Sequence, residues 1–345
     1  MTPPAARGGR RGRSGREDKR ATPPTARPDT APTGLPGVVV RAYGKFFDVQ
    51  LDDEPRVLLC TVKGSVKRER RRTDLVAVGD RVWATDVGEG EGQIEAVAPR
   101  TSVLARLARQ TEDVEQVILA NPDQVLFLFA VREPAPHRRM LDRFLIQAEA
   151  RGLPVIIGIN KSDLDGPAPG EPPDGRRLSD VVFADYERVY DVRRLSAATG
   201  EGLAGLRDAL SGKVTAVAGP SGVGKSSLLN ALHPAGDRAI ADVSTATGKG
   251  RHTTIATQLY RIADDPPTYV ADTPGIRALA LVGVAPDELD RCFPELRPYL
   301  GHCFYQDCTH VHEPDCAVRA AVEAGAIPIA RYESYAALRR GDPDD

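Results

Sequence analysis

No apolar run in the chain approaches the ~20 residues that a membrane-crossing helix needs. The N-terminal segment also lacks the apolar stretch of a secretory leader. These absences argue against a helical membrane protein and lead to the expectation of a cytoplasmic one. Large apolar residues are almost missing from residues 1–36, which are rich in Pro, Gly, Arg and Thr. Such a segment buries too little surface to offset the entropy of ordering, so a disordered tail is expected there. The tail holds eight Arg/Lys and three Asp/Glu, 8 − 3 = +5, so the rest of the chain carries −2 − 5 = −7 of the net −2. Its cluster of Arg7, Arg10, Arg11, Arg13 and Arg16 suits the phosphates of an RNA. Cysteine is scarce, with five residues in 345. Cys60 and Cys292 stand alone and read as small buried hydrophobes. Cys303, Cys308 and Cys316 lie together beside His302, His310 and His312. In a reducing compartment that grouping points to a metal rather than to disulfides.

With 41% hydrophobic and 27% charged residues, the remaining chain can fold, and its length predicts two or three domains. Short strand candidates at 38–40, 46–49, 57–60, 80–83 and 92–97 are punctuated by Gly, Asp and Pro. Five strands in so short a span predict an N-terminal β-barrel of the OB type over 37–98, with a basic loop from Lys63 to Arg72 placed to meet nucleic acid. From residue 99 the pattern changes. Buried-strand runs at 125–131, 154–159, 189–195, 214–218, 257–262 and 268–271 alternate with helical stretches. A helix is expected from Arg139 to Ala150, with Met140, Phe144, Leu145 and Ala148 on one face, and a loop over 163–180. This alternation predicts a central α/β domain over 99–290, mostly parallel and covered on both faces. Helices at 317–324 and 329–340 belong to a C-terminal domain over 291–345.

The segment Gly219-Pro220-Ser221-Gly222-Val223-Gly224-Lys225-Ser226 fits G-x-x-x-x-G-K-S/T, follows an apolar strand and precedes a helical stretch that starts at Ser227. That context is what a phosphate loop requires: amides cradle the phosphates at a helix N-terminus, Lys225 reaches the β/γ-phosphates, and the Ser226 hydroxyl binds Mg²⁺. Asn160-Lys161-Ser162-Asp163 follows another buried strand and selects guanine. The Asp163 carboxylate can accept both the N1–H and the 2-amino group, which adenine does not offer in that arrangement. Asn160 is expected on the other edge of the base and the Lys161 stem against its face. Ser196-Ala197-Ala198 fits the loop whose amide meets guanine O6. Asp272-Thr273-Pro274-Gly275 is a D-x-x-G turn, in which Asp272 holds Mg²⁺ and the Gly275 amide senses the γ-phosphate. Between these lies Gly250-Arg251-His252-Thr253-Thr254. Thr254 is taken as the Mg²⁺ ligand, with Thr253 the alternative. An ATP-using P-loop kinase and a non-catalytic RNA scaffold are the competing readings; Asp163 argues against the first, and Lys225 with Asp272 against the second.

These motifs resemble the G1–G5 set of the translation-factor class of GTPases, here in the order G4-G5-G1-G2-G3, a circular permutation. Barrel, permuted GTPase and cysteine cluster together resemble the RsgA/YjeQ family of small-subunit-dependent GTPases, over residues 37–330. The Gly-Arg-His-Thr-Thr run at 250–254 is a further hallmark of that family. The resemblance implies a monomer that binds the 30S subunit and its 16S rRNA late in assembly, hydrolyses GTP with Mg²⁺, and leaves. It implies rRNA contacts from the barrel and the C-terminal domain. It selects His310 as the fourth ligand of a structural Zn²⁺ with Cys303, Cys308 and Cys316, and His252 as the residue that orients the attacking water. Ile276 stands where Ras-like enzymes carry a water-positioning Gln, so slow intrinsic turnover is expected.

Overall fold

The computed structural model describes residues 33–64, 75–107, 115–167, 175–233, 257–272 and 284–342. The basic loop beyond Gly64, the run containing His252, Thr253 and Thr254, and the turn containing Gly275 and Ile276 lie outside these residues, as does most of the basic tail.

Strands β1 (Leu35–Tyr43), β2 (Phe46–Leu51), β3 (Val57–Val62), β4 (Arg81–Gly88) and β5 (Glu91–Val97) close into a barrel of order β1-β2-β3-β5-β4. Alternation builds it: in β3, Leu58, Cys60 and Val62 point inward while Val57, Leu59 and Thr61 face out. Inward residues of all five strands, among them Val39, Val49, Leu58, Val82 and Ile94, form its core. A bidentate pair of Arg100 with the fully buried Asp80, both contacts 2.7 Å, pins the chain as it leaves the barrel. Ala120 N–H donates to Val78 O (2.8 Å), and the Asn121 amide to Gly79 O (3.1 Å), so the barrel is bonded directly to the next domain.

A hairpin of β6 (Val103–Leu107) and β7 (Glu115–Ala120) precedes a six-stranded sheet. Its strands are β8 (Gln124–Ala130), β9 (Val155–Asn160), β10 (Asp191–Arg194), β11 (Val214–Ala218), β12 (Gln258–Asp264) and β13 (Pro267–Asp272), in the order β10-β9-β8-β11-β13-β12. All neighbours are parallel except β12 and β13. Every residue of β8 is buried, as a central strand covered on both faces demands. The sheet is flanked by α1 (Arg138–Glu149), α2 (Leu178–Val182), α3 (Leu203–Leu210) and α4 (Lys225–Leu232). Two expectations change. Met140 is exposed, and α1 instead buries Leu141, Phe144 and Leu145 against the sheet while Ile146 enters the C-terminal core; the helix is sandwiched, so one-face periodicity misassigns it. The stretch expected as a loop over 163–180 contains the 3₁₀ turn Ser162–Leu164 at its start and α2 at its end.

The C-terminal region carries 3₁₀ turns at Pro286–Cys292 and Arg297–Tyr299, a cysteine-bearing knuckle, and helices α5 (Ala317–Glu323) and α6 (Ile329–Arg340). Its core of Leu289, Phe293, Leu296, Val318, Ile327 and Tyr335 is continuous with Ile146 of α1. Cys60 and Cys292 are buried as expected, and desolvation pushes both thiols up to about 11.

Candidate active site and metal centre

The residues singled out in the described part of the α/β domain converge at the carboxyl ends of its parallel strands, where open α/β sheets bind ligands. The loop Gly219–Gly224 leaves β11, Asn160 ends β9, Ser196 follows β10, and Asp272 ends β13. Helix α4 starts at Lys225, and Ser226 and Ser227 are exposed on its first turn, where amide donors have no intrahelical partner. Two glycines are obligatory. Gly219 has φ +155°, and a Cβ there would lie 2.0 Å from the Leu128 carbonyl oxygen. Gly224 has φ +94°, and a Cβ would lie 2.4 Å from the Asn160 amide nitrogen. The phosphate loop therefore rests on β8 at one end and on the N-K-S-D segment at the other, while Val223 seals it from below, buried in the core.

Lys225 Nζ donates to the carbonyls of Gly219 (2.9 Å) and Pro220 (2.6 Å), which holds the ammonium across the mouth of its own loop. Asp272 is half-buried, and burial raises its carboxyl above the ordinary value while Lys225 pulls it back down.

Asn160 is 2% exposed; its amide donates to Val223 O (2.7 Å) and its oxygen accepts from Ala197 N–H (3.0 Å). These two bonds brace the phosphate loop against the Ser196-Ala197 loop and use one N–H and one lone pair of a side chain that has two of each. Asp163 is exposed, with one oxygen accepting from Ser196 Oγ (2.5 Å). Lys161 adopts φ +63° and its ammonium donates to Glu133 O. Partners that local sequence did not flag complete the rim. Arg132 donates to the carbonyls of Leu164 and Pro167, both at 3.1 Å, and Glu201 accepts from Ser162 Oγ at 2.7 Å. Their signal lies in pairings 32–39 residues apart, which no local window contains.

In the C-terminal region the ligand atoms of Cys303, Cys308, His310 and Cys316 all lie within 4.8 Å of one another. Bonds of about 2.3 Å to sulfur and about 2.0 Å to nitrogen at tetrahedral angles require S–S separations of about 3.8 Å and S–N separations of about 3.5 Å. The Cys303–Cys316 sulfurs stand 3.8 Å apart, and each lies 3.4 Å from His310 Nδ1. These three distances, with the Cys308 sulfur within 4.8 Å of the other ligand atoms, fit a closed tetrahedral Zn²⁺ shell. His310 Nε2 faces Asp290 Oδ2 at 3.6 Å, an arrangement that fixes which ring nitrogen is offered inward. Glu313 organises the turn between the ligands. Its carboxylate accepts from Thr309 N–H (2.9 Å), Thr309 Oγ (2.5 Å), Val311 N–H (3.2 Å) and His312 N–H (3.3 Å). Desolvation acts upward on it, and these donors outweigh that and hold it well below the usual carboxylate range.

A family model described as RsgA GTPase matches residues 97–282. The chain belongs to the RsgA GTPase family. It is 44% identical over 310 residues to the small ribosomal subunit biogenesis GTPase RsgA of Gemmatimonas aurantiaca, covering 89% of this chain and 97% of that one. The protein of the same name from Moorella thermoacetica is 39% identical, with 87% and 95% covered. Among solved structures, YjeQ from Thermotoga maritima superposes with a TM-score of 0.69 at 33% identity over 89% of this chain and 98% of that one. YloQ, described as a circularly permuted GTPase, gives 0.68 at 28% identity, with 93% and 100% covered. As an RsgA GTPase the chain is a GTP hydrolase, and membership implies the use of GTP and Mg²⁺. The permuted order is visible in its sheet: the strand that precedes the phosphate loop, β11, is central in space but comes fourth among the six in sequence.

Proposed function

We propose that this protein binds the 30S ribosomal subunit late in its assembly, hydrolyses GTP there under stimulation by the subunit, and dissociates. The observation that carries the reading is the bracing of a phosphate loop to an N-K-S-D segment by Asn160, inside a chain that matches small-subunit biogenesis GTPases over nearly their whole length. In this reading the main-chain N–H groups of Gly219, Ser221, Gly222, Val223, Gly224, Lys225, Ser226 and Ser227 cradle the phosphates, and Pro220, which has no N–H, shapes the loop around them. Lys225 exchanges the carbonyls of Gly219 and Pro220 for β/γ-phosphate oxygens. Ser226, Thr254 and Asp272 hold Mg²⁺, which neutralises charge developing on the phosphates. Asp163 reads guanine, steadied by Ser196, while Lys161 lies along the base and the Ser196-Ala197 loop meets its O6. Asn160 braces the two loops and, with its remaining N–H and lone pair, meets the other edge of the base. Gly275 senses the γ-phosphate and His252 orients water.

The C-terminal cluster holds one structural Zn²⁺ through Cys303, Cys308, His310 and Cys316. The chain divides into a basic tail (1–36), a barrel (37–98), a permuted GTPase domain (99–290) and a zinc-bearing domain (291–345). On the barrel, exposed Phe46, Leu59 and Val87 surround a shallow groove lined also by Thr61, Glu91, Gly92 and Gln93. The exposed ring of Phe46 on this face supports stacking with an unpaired base of 16S rRNA. No helix among the described residues is long and apolar enough to cross a membrane. In this reading the protein works as a monomer on ribosomes in the cytoplasm.

The test is GTP turnover measured with purified 30S, 50S and 70S particles. The 30S subunit is expected to raise the rate at least roughly tenfold, because Ile276 leaves the water unpolarised until a partner completes the site. Equal rates with and without 30S, or equal stimulation by 50S, would overturn the ribosomal part of the reading.

A further inference from the structure

The two loops that must grip one guanine are each poorly anchored by regular structure. Asp163 sits on a single 3₁₀ turn, Ser162–Leu164, which follows the left-handed Lys161. The opposing loop, from Ser196 to Gly200, is a non-repetitive connection between β10 and α3. A carboxylate on one loop and amides on the other must meet adjacent edges of the same ring, so their separation has to be fixed to about 0.5 Å. Hydrogen bonds between the loops do this, and Glu201 lies at their centre. Its carboxylate accepts from Ser162 Oγ at 2.7 Å, and its main-chain oxygen accepts from Ser196 N–H at 3.0 Å. Ser196 in turn donates through Oγ to Asp163 at 2.5 Å. Ser162 is 9% exposed, so its hydroxyl is turned away from bulk water toward this partner.

We infer that Glu201 is a positioning residue for guanine recognition, acting through Ser162 and Ser196 to hold the Asp163 carboxylate at the right distance from the Ser196-Ala197 loop. The inference rests on the guanine-binding reading given above. It adds that the third position of the N-K-S-D segment, which touches no nucleotide in that reading, contributes to base selectivity in this chain. The bond joins a charged acceptor to a nearly buried hydroxyl, the stronger kind of hydrogen bond. Loss of the Ser162 contact leaves the Ser196 main-chain bond in place, so the site loosens without dissolving.

The experiment uses the full chain and fluorescent GDP and IDP, with E201A, E201Q, S162A and the S162A/E201A double variant. IDP keeps the N1–H of guanine but lacks the 2-amino group that Asp163 also reads. E201A and S162A are each expected to weaken GDP binding roughly 5- to 20-fold, with the loss in turnover assays appearing in KM. IDP should weaken less, so that the GDP/IDP ratio shrinks. The double variant should be no worse than either single one, because both remove the same bond. E201Q, whose amide oxygen still accepts from Ser162, should recover most of the affinity. Wild-type GDP affinity in E201A, a GDP/IDP ratio that does not change, or multiplicative losses in the double variant would each overturn the assignment. Failure of the wild-type chain to bind GDP at all would instead overturn the guanine-binding reading on which it stands.

Discussion

Replacing Lys225 by alanine is expected to lower GTP turnover by at least about 10²–10³-fold, the usual cost of removing one preorganised group that stabilises charge in the transition state. The ammonium is already in place before nucleotide arrives. It bonds to Gly219 O and Pro220 O at 2.9 and 2.6 Å, across the loop whose amides face the phosphates. Those two carbonyls are replaceable partners, so moving from them to phosphate oxygens costs little reorganisation. The γ-phosphoryl group spreads negative charge over its oxygens as it departs, and a cation held at that point gains interaction energy as the charge develops. Alanine removes the charge while leaving the glycine geometry untouched. The variant should therefore melt as the wild type does, and only phosphate chemistry should suffer. Turnover within tenfold of wild type, measured under single-turnover conditions, would show that this loop is not where hydrolysis occurs.

The second large effect is on stability. Arg331 of α6 is 1% exposed and is the largest fully buried side chain among the described residues. Its guanidinium pairs with Asp142 of α1 and with Glu295 at 2.5 Å. It is also stacked between two rings, with its carbon 4.9 Å from the Tyr186 centroid and 4.7 Å from that of Phe293. Tyr186 closes the network by donating to Asp142 at 2.8 Å. Burial acts to lower the guanidinium's proton affinity, and the two carboxylates outweigh that and hold it well above its ordinary value. One side chain thus joins α1, the segment after α2, the 290s and the last helix.

A buried ion pair is a weak source of net stability compared with a well-packed apolar cluster, but losing one partner strands the others. Arg331→Ala leaves Asp142 and Glu295 buried and unneutralised, which costs about 3–5 kcal/mol. For a chain of 345 residues, at about 2.1 cal/mol/K of unfolding entropy per residue, that is a fall in Tm of roughly 4–7 °C. Arg331→Lys should recover little, because an ammonium cannot serve two carboxylates and stack on two rings at once. Thermal unfolding followed by circular dichroism checks this, and an Arg331→Ala variant that melts within about 2 °C of wild type would contradict it.

Much of the architecture is readable from the chain because the governing patterns are local. The all-apolar runs of β8 and β9, the alternation in β3, and the glycine pattern from Gly219 to Gly224 each announce themselves within a few residues. Other features depend on partners far away in sequence. Arg331 and Asp142 are 189 residues apart, and Glu201 and Ser162 are 39 apart; neither pair has a signature in any window. The hairpin β6–β7 escaped because its strands are short and mix apolar with charged residues, with no Gly or Pro between them. Met140 was placed on the wrong face because α1 is buried on two sides, and a helix in that position does not obey one-face periodicity. Asn160 shows the same limit at the site: its bonds to Val223 O and Ala197 N–H tie together loops 63 and 37 residues away, which no local pattern announces.

In the proposed activity one guanine nucleotide is held between the loop ending at Lys225 and the carboxylate of Asp163. Titration calorimetry of the full chain with GDP and with ADP in magnesium buffer tests this most directly. One GDP per chain is expected, with ADP weaker by at least about 100-fold, since a carboxylate placed for two donors is left unpaired by adenine. ADP binding as tight as GDP, or no heat from GDP, would contradict it.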